Sequence, residues 1–123
     1  MDALNWAAVF AGTILAFMAG WIWYGKLFRN PWMIGSRLTE KDGETMPAFA
    51  MITQVFGLFL LALVIGVTAM SEALGTAVLA ILATTTLTVS GHAFSKKSMA
   101  AMLIDGGYIL VAGTIMVMCQ AIL

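Results

Sequence analysis

The chain has 123 residues, 62% hydrophobic and only 10% charged, with a formal net charge of zero. A soluble domain carries about 25% charged residues, so a water-facing globule is excluded, and the charge balance offers no footprint for nucleic acid. The single cysteine, Cys119, excludes an internal disulfide, and no phosphate loop, metal-spaced Cys/His pair or nucleophile elbow occurs.

The apolar residues fall in four long blocks, about 5–24, 46–70, 73–94 and 99–122. Each is long enough as a helix to cross a hydrocarbon core about 30 Å thick. The expected fold is an all-α membrane protein: one domain of four transmembrane helices in an up-down bundle, with one longer first loop.

The first block, Asn5 to Tyr24, is preceded by Asp2 and no Lys or Arg. It exceeds the apolar core of a signal peptide and reads as a retained helix. Ala8, Gly12, Ala16 and Gly20 recur every four residues along it, a small-residue stripe that admits another helix of this chain or of a second copy. Trp6 near one end, and Trp21, Trp23, Tyr24 and Trp32 near the other, read as interfacial anchors.

Residues 25–44 form the long loop, holding Lys26, Arg29, Arg37 and Lys41 with Glu40, Asp42 and Glu44. Asn30-Pro31 signals a turn. Trp32, Met33, Ile34 and Leu38 predict a short surface-lying segment, and Thr39 with Asp42 resembles a capping box.

Here a family resemblance enters. The run Gly20-Trp21-Ile22-Trp23-Tyr24-Gly25-Lys26-Leu27-Phe28, then Trp32 and Leu38-Thr39-Glu40, resembles the opening of domain of unknown function 1761, a family of small bacterial membrane proteins. Gly107-Tyr108 matches a Gly-Tyr motif in its last helix. Lys26 stands where Pro is common, and Ile109 where a His often follows the Tyr. The resemblance implies four spans and a bacterial inner-membrane location, and supplies no catalytic residue.

The second block is entered by Pro47, which a first helical turn tolerates. Gln54 lies about 10 Å inside it, and Ala62 and Gly66 offer a second close-packing pair. Ser71-Glu72 turns the chain into the third block, where Thr76, Ala80, Thr84, Thr88 and His92 share one face. Their hydroxyls are expected to bond back to their own helix or to a neighbour; a polar stripe along a wet path is the alternative.

Lys96 and Lys97 mark where the chain surfaces before the fourth block. Asp105, the only acidic residue well inside an apolar run, lies about 10 Å in from Ser98, where a carboxyl group requires a partner. An antiparallel turn near Lys97 brings His92 to the level of Asp105 and Tyr108, predicting a His92–Asp105 contact. Gly106-Gly107 predicts close approach of another backbone, or a bend. Met116, Met118 and Cys119 carry donors that suit Cu(I), but the two methionines fall on different helix faces, which favours packing.

All six Lys and Arg lie in the first and third loops. The positive-inside rule then makes those loops cytoplasmic and puts both termini outside. Depth arithmetic sets Tyr24, Gln54, His92, Asp105 and Tyr108 in the same half of the membrane. They form a candidate polar cluster, either a proton- or cation-handling site or a knot that fixes helix register. The residues point to no catalytic role, cofactor or metal. The expected partners are the lipid bilayer and a second copy or a larger membrane complex. The expected role is structural or accessory, through helix packing and self-association; the alternative is an oligomeric small-solute or ion pathway through His92 and Asp105. An enzymatic role ranks last, because no nucleophile pairs with that cluster.

Overall fold

A computed structural model describes residues 3–39 and 48–123. Five α-helices follow in order: α1 (Trp6–Ile22), α2 (Arg29–Gly35), α3 (Ala48–Met70), α4 (Leu74–Phe94) and α5 (Met99–Ile122), with a π-helical turn, Trp23–Leu27, continuing α1. Four segments are long and apolar enough to cross a membrane: Trp6–Leu27, Ala48–Met70, Leu74–Phe94 and Met99–Ile122. The protein is a helical membrane bundle. The Thr39–Asp42 pairing and the Pro47 helix entry fall outside the described residues.

Helix α5 is the axis of the bundle. It buries ten residues, from Ala101 to Cys119, and α1, α2, α3 and α4 all pack on it. Lipid gives apolar helices no hydrophobic reason to associate, so close fit must hold them. Small residues supply that fit. A Cβ on Gly12 would stand 3.2 Å from Met116, and one on Gly113 would stand 2.6 Å from Ile81 of α4. The stripe on α1 meets α5 of its own chain at Gly12 and Gly20, and Ala8 and Ala16 are buried. Gly66 of α3 meets Leu4 and Val9, beside buried Ala62. Gly106 and Gly107 make room for the side chains of Val89 and Trp23, rather than for another backbone.

Asn5 and Ser98 cap α1 and α5 by accepting from Ala8 N and Ala101 N, the ordinary role of short polar side chains at a helix start. Three helix ends have no glycine at the left-handed position. Arg37, Glu72 and Lys96 take positive φ of 60°, 54° and 59°. In each case the next residue donates to a carbonyl five back: Leu38 to Met33, Ala73 to Thr68 and Lys97 to His92. This doubly bonded helix end normally favours glycine at the left-handed position.

Helix α2 is no surface float. Met33 and Gly35 are buried, Gly35 O accepts from Ser98 N at 3.1 Å, and Arg37 Nη2 donates to Lys96 O at 2.9 Å. The first basic loop is therefore tied to the α4–α5 turn. A Cβ on Gly35 would collide with Ser98 and Ala101.

Candidate functional site

Asp105 is the only buried charged side chain among the described residues, at 7% exposure. Its Oδ1 accepts from the Tyr24 hydroxyl at 2.6 Å and from Trp32 Nε1 at 3.0 Å. Its Oδ2 lies 2.7 Å from His92 Nδ1 and 3.3 Å from Lys97 Nζ. The His92 N–H is misaligned for a hydrogen bond despite the short separation, so that contact is a close electrostatic one. Three hydrogen bonds, from Tyr24, Trp32 and Lys97, occupy three of the roughly four acceptor positions of the carboxylate, and with the close His92 contact they let a charge remain in an apolar setting.

The π turn builds half of this arrangement. Phe28 N donates to Trp23 O, five residues back, which widens the helix locally, as π turns at functional sites commonly do. Trp23 and Tyr24 then reach successive residues of α5. Trp23 Nε1 donates to Ile104 O at 2.9 Å, while Tyr24 takes Asp105. Tyr108, one turn deeper, donates to Ala16 O at 2.7 Å. Ring centroids lie 4.8 Å apart for Tyr24 and Trp32, and 5.5 Å for Tyr24 and Tyr108, both edge-on.

Four of the candidate residues are thus linked by contact, Tyr108, Tyr24, Asp105 and His92, and Gln54 lines the adjoining cleft. Two expectations are corrected. Trp23, Tyr24 and Trp32 are not interfacial anchors, because each aims its polar atom inward, as a largely buried indole or phenol must. Trp6 and Trp21 do stay exposed, at 45% and 72%. Lys97 does not simply surface: its ammonium bends back to Asp105. Sequence reasoning missed Trp32 and Lys97 as partners. The available signal for Lys97 was chemical, since a buried carboxylate needs a cation and the nearest in the chain are Lys96 and Lys97.

Beside this network lies a cleft of about 1060 Å³. Its walls come from α1, α2, α3, α4 and α5, with Arg29, Gln54, Thr84, Thr88, His92 and Asp105 among the polar elements. The Thr84 and Thr88 hydroxyls donate to Ala80 O and Thr84 O, so they face the cleft with their protons already used. Ala48 to Gly57, the first half of α3, is exposed throughout, which leaves the cleft open along that flank. No group of His, Cys, Asp and Glu suited to a metal ion occurs among the described residues.

The model of a family described as "Protein of unknown function (DUF1761)" matches residues 7–121. The chain belongs to this family. No curated protein and no solved structure matches it. In this DUF1761 chain the two motif elements meet at the site. A Cβ on Gly107 would stand 3.1 Å from Trp23, and Tyr108 touches Tyr24.

Proposed function

We propose that the protein is a membrane-embedded pathway for a small solute or ion, with Asp105 and His92 as its recognition point. One observation carries the reading. The buried carboxylate forms part of the wall of a large cleft, whereas a knot that only fixed helix register would be sealed between helices. Costly charges inside membranes mark solute and ion routes by default. The test is proton and monovalent-cation flux in liposomes, comparing the native chain with Asp105→Asn and His92→Ala. Flux that falls to background in both variants supports the pathway; background flux in all three overturns it for the ions tried.

Self-association with an accessory role is a second reading. Gly57 of α3 and Gly75 and Gly91 of α4 have no atom within 4 Å of where a Cβ would sit, so these faces can admit a second copy or a larger complex. A second copy would also close the open flank of the cleft. Native mass measurement in lipid discs tests this, and a clean monomer with no co-purifying partner counts against it. We place the protein in a bacterial inner membrane, with its basic loops cytoplasmic and both termini outside, on the distribution of Lys and Arg. Efficient labelling of Lys41 by an impermeant reagent from outside would reverse that orientation.

A further inference from the structure

The cleft is not uniformly apolar along its length. From Ala80 to His92 on α4 it runs twelve residues, about 18 Å, close to one leaflet of hydrocarbon at about 15 Å. Its polar end, at Asp105, is also its aromatic end. Tyr24, Trp32 and Tyr108 cluster around the carboxylate, and Trp21 and Phe17 stand on the same wall. A carboxylate at the end of an aromatic-lined apolar cleft recognises positive charge on a bulky apolar body, through direct attraction at the charge and apolar contact along the body. The volume is at the upper end of small-molecule sites.

We propose that the cleft binds a lipophilic organic cation, which enters along the open α3 flank and sets its charge against Asp105 in place of Lys97. This rests on reading the cleft as a solute site and names the class of solute.

Lys97 makes the proposal specific. Its ammonium neutralises Oδ2 at 3.3 Å, yet it arrives from the α4–α5 turn, is not among the residues that line the cleft, and keeps 25% side-chain exposure. A lysine stem is long and flexible and can carry its charge out to the headgroups. An incoming cation therefore exchanges with it, and the buried carboxylate is never left unpaired, the state that costs most. Tyr24 and Trp32 hold Oδ1 throughout, and His92 stays 2.7 Å from Oδ2, so the carboxylate keeps its place while Oδ2 exchanges Lys97 for the incoming cation. Arg29, a cation on the cleft wall, sits on α2 and donates from Nε to Met33 Sδ at 3.4 Å. An anion would meet Asp105 directly, and a neutral body would gain only the apolar walls.

The experiment is equilibrium binding to the full chain in lipid discs. Tetraphenylphosphonium is compared with tetraphenylborate, which has similar shape and opposite charge. The native chain is expected to bind the phosphonium saturably and to show no saturable binding of the borate. Asp105→Asn should weaken phosphonium binding by at least about tenfold, as loss of a close charge contact predicts. Lys97→Gln should tighten it, because the internal competitor is gone. This second variant keeps the carboxylate and so remains informative if Asp105→Asn folds poorly. Equal binding of both probes, equal binding by Asp105→Asn, or unchanged or weaker binding by a folded Lys97→Gln would each overturn the proposal. Proton flux that depends on Asp105 without phosphonium binding would sink the cation assignment and leave the pathway standing. Binding without any flux would do the reverse.

Discussion

Helices α4 and α5 are joined by a tight turn, have 21 and 24 residues, and are both apolar, yet they live in different surroundings. α4 buries Ala77 and Ile81; α5 buries ten residues. Overall hydrophobicity does not separate them. What does is how each satisfies its polar atoms and where each is thin. On α4 the hydroxyls of Thr84, Thr85, Thr86 and Thr88 all donate to carbonyls four residues back, so these groups need no neighbour and can face lipid or the cleft. On α5, Asp105 and Tyr108 are bonded by reaching other segments of the chain, and Gly106, Gly107 and Gly113 let neighbouring helices come close. In lipid, unmet polar demand and small volume choose the central helix.

The contrast can be broken most severely at Asp105. Asp105→Leu leaves Lys97 and two N–H or O–H donors without their acceptor. It should cost about 3–5 kcal/mol of stability, the scale for breaking a buried pair, read by unfolding in detergent micelles. Overpacking comes next. Gly113→Val pushes into Ile81 and should cost about 1–3 kcal/mol, whereas Gly75→Ala on α4 meets open space and should be neutral or gain up to about 1 kcal/mol. Equal effects at the two glycines would erase the contrast between the helices. Tyr108→Phe removes one interhelical hydrogen bond and should cost about 0.5–1.5 kcal/mol. Smallest of all, Thr86→Val on α4 removes a hydroxyl that serves only its own helix, and the same unfolding assay should register a change within about 0.5 kcal/mol.

Much of the fold was legible because membrane length and charge placement are coarse, strong signals: the four apolar blocks and the two lysine- and arginine-bearing loops follow from residue types alone. The level of the polar residues was legible through rise per residue, which put Tyr24, Gln54, His92, Asp105 and Tyr108 at similar depth; in the structure Tyr24, His92, Asp105 and Tyr108 are in contact, and Gln54 lines the adjoining cleft. The π turn was not legible, since one extra residue in a helical turn leaves no period to read in Trp23–Leu27. Nor was the inward turn of Trp32, because an amphipathic ring suits a headgroup or a buried carboxylate equally well, and only tertiary packing decides. The left-handed caps at Arg37, Glu72 and Lys96 were not legible either, since none carries the glycine that normally marks one.

The paired ties between α2 and the α4–α5 turn have a mechanical consequence. Gly35 to Ser98 and Arg37 to Lys96 rivet two segments that are sixty residues apart in the chain into one plate across the end of the bundle. Trp32 and Lys97, which hold opposite oxygens of one carboxylate, both ride on that plate. A tilt that freed one would strain the grip of the other, so any motion at that end has to be taken up by the side chains or by the plate as a whole.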